Sequence, residues 1–145
     1  MTVQVRERLA TNFLGEIAVA KVVLRAMEKG LTPSRPQMEC RYDLILDDGL
    51  KLYRVQVKYA GGKSPKQASG VIPLGLKKWR TDGRAPILHY TAVEIDAVLV
   101  YVRAIDRIVW FGPEVFENRQ QLSIRLEPSR NGQTKGCLMA ADYYW

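Results

Sequence analysis

Arg41-Tyr42-Asp43-Leu44-Ile45-Leu46-Asp47-Asp48-Gly49-Leu50-Lys51-Leu52-Tyr53-Arg54-Val55-Gln56-Val57-Lys58 is the stretch on which the reading of the fold turns. Arg41 to Leu46 predicts a strand. Asp47-Asp48-Gly49 predicts a tight turn, because Asp-Gly readily takes the positive-φ conformations that hairpins use. Leu52 to Lys58 then alternates. Leu52, Arg54, Gln56 and Lys58 face one way, and Tyr53, Val55 and Val57 face the other. If the hairpin closes at that turn, the start of the first strand lies beside the end of the second. Asp43 then comes next to Gln56 and Lys58.

Upstream, residues 4 to 29 read as one helix. Leu9, Phe13, Ile17, Ala20 and Leu24 recur at three and four and predict its apolar face, widened by Val22, Val23 and Met27. Gly30 stands where a helix C-terminal glycine is expected. Pro33 and Pro36 mark an irregular link. Glu16 lies on the helix among Gly15, Ile17 and Ala18, and a helix packed on the hairpin would bring it to the same point as Asp43.

Downstream, Gly61 to Arg84 holds Lys63, Lys66, Lys77, Lys78, Arg80 and Arg84 against one acid, Asp82. Val71 to Leu76 predicts a strand that extends the sheet, confined to an edge by Pro73. Asp96 to Val102 and Arg107 to Phe111 predict two more strands. Gly112-Pro113 opens a short helix, and Gln121 to Leu126 predicts a last strand. No repeat is visible. One α/β domain over residues 1–145 is the expectation: a first helix, a three-stranded antiparallel run, further strands and a short helix.

Composition narrows the chemistry. The chain has 145 residues, of which 47% are hydrophobic, enough for a sizeable core. No run of eighteen apolar residues occurs, and the first residues carry no apolar block. A cytoplasmic protein with no membrane partner is expected. Two cysteines, Cys40 and Cys137, without a CxxC pair argue against zinc or a disulfide framework, and each is expected to be a small buried hydrophobe. The single histidine, His89, leaves no basis for a His-rich metal site and is expected to be structural. The net charge of +7 and the pI near 9.6 favour a polyanionic partner, with nucleic acid the commonest. Lys63, Lys66, Lys77, Lys78, Arg80 and Arg84 are the candidate DNA phosphate contacts. Trp79 among them, like Tyr143, Tyr144 and Trp145, is expected to pack rather than stack on a base, the last three against the core or a subunit interface.

Hydrolysis of a phosphodiester by a bound divalent cation needs two or three oxygen ligands, with positions left for water and phosphate. It also needs a lysine that orients the water or stabilises developing charge. Glu16, Asp43, Gln56 and Lys58 supply such a set.

Glu16, Tyr42-Asp43-Leu44 and Gln56-Val57-Lys58 together resemble the motif of the PD-(D/E)XK nuclease superfamily. Two departures are visible: no proline precedes Asp43, and glutamine replaces the second acid. The Gln variant is similar to the cyanobacterial group I intron homing endonuclease branch. Tyr90-Thr91 followed by Glu94-Ile95-Asp96, the strand pair ending Val109-Trp110-Phe111, and Arg125 with Asn131-Gly132-Gln133 also look like that branch. The resemblance implies a restriction-endonuclease-like core, a mixed β-sheet flanked by helices. It implies Mg²⁺ or Mn²⁺ held by Glu16, Asp43, Gln56 and the backbone carbonyl of Val57. It implies double-stranded DNA as substrate and a homo-oligomer, dimer or tetramer. A Holliday junction resolvase-like nuclease and a catalytically silent DNA-binding protein of the same fold are the rival expectations.

Overall fold

The computed structural model describes residues 7–61, 70–76, 89–132 and 138–145, with side chains described from residue 12 onward. Helix α1 runs Glu7–Glu28. Gly30 follows it at φ +80°, and its N–H donates to the Met27 carbonyl at 2.9 Å. The Leu31 N–H reaches back to Ala26 at the same distance, which closes the helix as a Schellman motif. Residues 4–6 of the expected helix lie outside the described residues.

The face that α1 buries differs from expectation. Ala18, Val19, Val22 and Ala26 are buried, whereas Phe13, Ile17, Leu24 and Met27 are 44–55% exposed and Ala20 is also exposed. Of the predicted face, Phe13, Ile17, Ala20, Leu24 and Met27 point to solvent, Val22 is buried and Val23 packs against the core, and the Leu9 side chain lies outside the described residues. Periodicity cannot say which of two apolar stripes meets the sheet. The small residues at 18, 22 and 26 let the helix lie close to it.

After α1 come β1 (Thr32–Ser34), β2 (Leu44–Asp47) and β3 (Leu52–Ala60). They pair antiparallel in that order. Strand β1 falls in the link expected to be irregular, and Pro33 is tolerated there because β1 is an edge. The β2–β3 turn is built by its own side chains. The Asp47 carboxylate accepts from Gly49 N, and the Asp48 carboxylate accepts from Leu50 N and Lys51 N, all at 2.7–2.8 Å. Those backbone donors hold the Asp48 carboxyl below its usual pKa.

Next follow β4 (Val71–Gly75), β5 (Ala97–Val102), β6 (Arg107–Phe111), α2 (Pro113–Phe116), β7 (Gln121–Arg125) and β8 (Leu138–Met139). The main sheet has order β1-β2-β3-β5-β6, with β3 and β5 parallel, so it is mixed. Every residue of β5 is buried, as expected of a strand covered on both faces. Strand β4 does not extend this sheet. It pairs with β7 in a second sheet of order β4-β7-β8. Its buried Ile72 and Leu74 pack with Leu122, Ile124, Val98 and Val100, so its apolar side covers the main sheet's face. Two cores result. Helix α1 packs on Val55, Val57, Leu99 and Tyr101. The small sheet and α2 pack on Val98, Val100, Val102 and Phe111. The fold is α/β with a mixed central sheet flanked by helices, consistent with a restriction-endonuclease-like core.

The parallel β3–β5 register is pinned at its entrance by Asp96. Its Oδ2 accepts from Arg54 N at 2.8 Å and from Arg54 Nε at 3.1 Å, while Asp96 N donates to the Arg54 carbonyl. Burial would raise the Asp96 pKa, but the Arg54 bonds and charge outweigh it and hold it below the usual carboxylate value. A depressed folded pKa gives stability that is complete above the unfolded value and lost as pH falls through the folded one. Urea unfolding of Asp96→Asn should therefore show a loss of about 1 kcal/mol at neutral pH. The gap should shrink as the pH drops below about 4. A gap that stays constant across that window would contradict the linkage.

The chain end packs as expected for aromatic residues. Trp145 lies 5.8 Å from Trp110 and Tyr143 lies 5.0 Å from Phe111, ring centre to ring centre. Tyr144 stays 43% exposed beside Arg107. Cys40 is half-buried and donates to the Tyr42 carbonyl at 3.2 Å, so it is less enclosed than the expected core thiol. Cys137 and Trp79 lie outside the described residues.

Candidate active site

The hairpin builds the site's centre. Leu44 pairs with Val55, and the Asp43 N–H donates to the Val55 carbonyl at 2.9 Å, which extends the ladder by one residue. Asp43 therefore stands beside the exit half of β3. Its Oδ2 accepts from the Val57 N–H at 2.9 Å and from the Gln56 side-chain amide at 2.6 Å. Gln56 is the buried polar residue of this region, 9% exposed. Alternation then puts Lys58 on the same face as Gln56, away from α1. Asp43, Gln56 and Lys58 line one open cleft of ≈ 460 Å³, with Tyr42, Tyr90 and residues 35–40 forming the rest of its wall.

Glu16 stands apart from that centre. Its carboxylate pairs with Arg35 at 2.7 Å, and both side chains are more than half exposed. Arg35 itself lines the cleft, so Glu16 is tied to the cleft's rim through its partner. The sequence pattern contained no signal for Arg35, which lies between Ser34 and Pro36 in the link.

A second group is Tyr90, visible in the sequence only within the Tyr90-Thr91 resemblance and not as a site residue. It is 1% exposed, and burial pushes its pKa up to about 12, so the phenol stays neutral. Two cations lie against its ring, with Arg41 Cζ 4.5 Å and Lys58 Nζ 5.5 Å from the centroid. Arg41 is fixed in turn by the His89 carbonyl at 2.6 Å and by Glu94 at 3.1 Å. Glu94 also accepts from Thr91 N at 3.2 Å. The Thr-x-x-Glu spacing at 91–94 was the legible trace of this turn. Through it, Tyr90 gives the Lys58 ammonium a fixed neighbour.

The arrangement answers what glutamine does in place of an acid. Two carboxylates at 2.6 Å would repel one another without a cation between them. The Gln56 amide instead donates to Asp43 and stabilises its charge. The Asp43 carboxylate, the Val57 carbonyl, the Gln56 amide oxygen and Glu16 are all hard oxygen donors, suited in kind to Mg²⁺ or Mn²⁺. In number they are few at one place. Among the described residues, no group of three or more His, Cys, Asp or Glu could hold a metal ion. The expected phosphate contacts Lys63, Lys66, Lys77, Lys78, Arg80 and Arg84 lie outside the described residues. Among the described residues, no helix is long and apolar enough to cross a membrane.

Comparison with known proteins bears on the fold and the family. No curated protein matches the sequence. The solved structure of a bacterial homing endonuclease, I-Ssp6803I, is similar, with a TM-score of 0.72 and 26% identity over 92% of this chain and 88% of that one. The sequence profile described as PD-(D/E)XK endonuclease matches residues 9–145, which takes in the helix, the hairpin and both sheets. The chain belongs to the PD-(D/E)XK endonuclease family.

Proposed function

We propose that this protein is a metal-dependent endonuclease that hydrolyses phosphodiester bonds in double-stranded DNA at a long, specific site, in the manner of a homing endonuclease. The observation that carries the reading is the convergence of Asp43, Gln56 and Lys58 on one cleft at the exit of the hairpin. Asp43, Gln56, the Val57 carbonyl and Glu16 would hold Mg²⁺, or Mn²⁺. The ion, when bound, would supply charge neutralisation at the scissile phosphate and an activated water. Asp43 orients the Gln56 amide and the Val57 backbone through its two accepted hydrogen bonds. Lys58 brings a positive charge to the same face, where it would orient the attacking water or stabilise the phosphorane-like transition state. Lys63, Lys66, Lys77, Lys78, Arg80 and Arg84 would contact DNA phosphates. The chain works as one domain over residues 1–145, inside the cell, as a dimer or tetramer.

Purified protein should be tested on supercoiled plasmid, on a duplex carrying an intronless allele and on a synthetic four-way junction, with Mg²⁺ and with EDTA. Specific cutting of the duplex, only with Mg²⁺, is expected. Cutting of the junction alone would replace the homing reading by a resolvase-like one. The shortage of acids at the cleft favours one further rival, a DNA-binding protein that no longer cuts. That rival predicts binding with no Mg²⁺-dependent product on any of the three.

Gln56→Glu examines the metal reading by stability. The substitution sets a second carboxylate against Asp43 where a donor now lies at 2.6 Å. In EDTA its Tm should fall by about 3–8 °C, the effect of 1–2 kcal/mol of repulsion. Mg²⁺ should recover that loss and shift the variant more than the parent. Equal Mg²⁺ shifts in both proteins would count against a metal at this position.

A further inference from the structure

The small sheet covers the main sheet with one face and offers the other to solvent. Its inner side chains, Ile72 and Leu74 on β4 and Leu122 and Ile124 on β7, pack with Val98 and Val100. The parallel register sets Gln56 beside Val98 and Lys58 beside Val100, so the small sheet lies on the same face of the main sheet as the cleft. Its outer face carries Gln121, Ser123 and Arg125 on β7, opposite Gly75, Pro73 and Val71 on β4. Gln121, Ser123, Pro73 and Gly75 are exposed, and Val71 and Arg125 are half-buried. Strand β8 pairs with Ile124 and Arg125, so among the described residues the part that bears Gln121 and Ser123 is a two-stranded ribbon. We infer that this outer face enters the major groove of the DNA, and that Gln121, Ser123 and Arg125 read base edges there and set which duplex the cleft cuts.

The chemistry of the face selects this occupant. Neither β4 (Val-Ile-Pro-Leu-Gly) nor β7 (Gln-Leu-Ser-Ile-Arg) contains an acid. The next acid along the outer line, Glu127, stands past the end of β7 beside Gly70. The three polar side chains match what the major groove displays. An arginine fork meets guanine O6 and N7, a glutamine amide meets adenine N6 and N7, and a serine hydroxyl suits either. Arg125 is not neutralised elsewhere. Arg25, Arg35, Arg41 and Arg54 are each paired with a carboxylate. Among the described residues Arg125 has no such partner, its Nη1 reaching only the Glu127 carbonyl at 3.5 Å. In the sequence, Lys63 and Lys66 precede β4 and Lys77, Lys78, Arg80 and Arg84 follow it, the residues proposed above to contact phosphates. Phosphate contacts fix a protein's register on a duplex, and base contacts beside them supply the sequence information.

The shape fits as well. Two strands about 5 Å apart form a ribbon that a groove about 12 Å wide admits. Alternate side chains on one face of a strand repeat every ~6.7 Å, about two base-pair steps, so the three outer residues of β7 reach across about four base pairs. The opposing strand adds little bulk, since Gly75 has no side chain and a Cβ there would meet nothing within 4 Å. The inner face of the ribbon is anchored in the core, which holds the outer side chains on a rigid element. The inference deepens the nuclease reading and rests on it for the duplex, but it places recognition on β7 and cutting in the cleft, so the two are separable.

Selection from a pool of duplexes with a randomised centre, in Ca²⁺ so that nothing is cut, tests it on the full chain. The parent should enrich one sequence pattern. Arg125→Ala and Gln121→Ala should each lose roughly 10–100-fold of preference at one or two adjacent positions, guanine for the first and adenine for the second, with the other positions kept. Gln121→Glu should exchange adenine for cytosine, because a carboxylate accepts from cytosine N4. Gly75→Phe adds a ring in open space and should weaken binding to the enriched duplex by about ten-fold or more, since the groove would have to admit that ring. Arg107→Ala, which removes the same charge from β6 beside Tyr144, should keep the pattern. Thermal unfolding should place Gln121→Ala, Gln121→Glu and Gly75→Phe close to the parent, since each changes an exposed position. Variants that keep the parent's pattern overturn the inference, whether the face is then empty or meets a protein. So does a loss equal for all sequences, the mark of phosphate contact alone, or a parent that binds DNA without preference or not at all. If the patterns shift as expected but Mg²⁺ brings no cutting, the ribbon stands and the nuclease reading fails. If the parent cuts a specific duplex and the variants cut it equally well, the nuclease reading stands and the ribbon falls.

Discussion

Lys58→Ala should lower the single-turnover rate of Mg²⁺-dependent cutting by about 10²–10³-fold while leaving DNA affinity within a few-fold of the parent. The size follows from what the residue does. An ammonium held in a cleft stabilises charge that develops only as the phosphate reacts, and removing one such group costs about that much. Affinity changes little because one cation among many contributes only a small part of binding to a polyanion. Lys58 is half-buried beside the Tyr90 ring, whose centre is 5.5 Å from its Nζ, so the truncation leaves the β3 backbone in place. Quenched-flow cutting with labelled duplex, together with a binding isotherm in Ca²⁺, reads the two quantities separately. A variant that cuts as fast as the parent removes Lys58 from the mechanism.

Asp43→Asn should abolish cutting to below about one part in 10³, because losing the central carboxylate forfeits several kcal/mol of metal-assisted stabilisation. Its folding should change little. Asp43 Oδ2 accepts from Val57 N and from the Gln56 amide, and an asparagine oxygen can still accept from a backbone N–H. Asp43→Ala should be as inactive and should also lose about 1–3 kcal/mol, since the Val57 N–H and Gln56 amide both lose an acceptor in a half-buried place. The pair separates chemistry from folding. Asp43→Asn retaining more than a tenth of the parent rate would be incompatible with Asp43 as a metal ligand.

These expectations draw on features that were visible to different degrees before folding. The hairpin was local. Asp47-Asp48-Gly49 dictates the turn, the two-residue alternation dictates which side chains share a face, and together they require Asp43 to meet Gln56 and Val57. The helix, its glycine stop and the strands at 97–102 and 107–111 were legible for the same reason: each is set by neighbours a few residues apart. Asp96 was legible as the start of a strand and as part of the Glu94-Ile95-Asp96 segment, but not as the anchor of Arg54 across 42 positions.

What was not legible depends on contacts between distant parts of the chain. Helix α1 carries two apolar stripes, and the choice between them was made by how closely Ala18, Val22 and Ala26 let it approach the sheet. Strand β4 had the pattern of an edge strand, but whether it joined the first sheet or formed a second with β7 depended on which apolar face needed covering. The pairing of Glu16 with Arg35 joins residues 19 apart across a proline-bearing link that has no periodic signal. Tyr90 reaches Lys58 only because β3 and β5 run parallel, which brings the turn before β5 against the face of β3. Local chemistry thus specified the hairpin that carries Asp43, Gln56 and Lys58. Long-range packing chose the surroundings of those residues and left the outer stripe of α1 exposed.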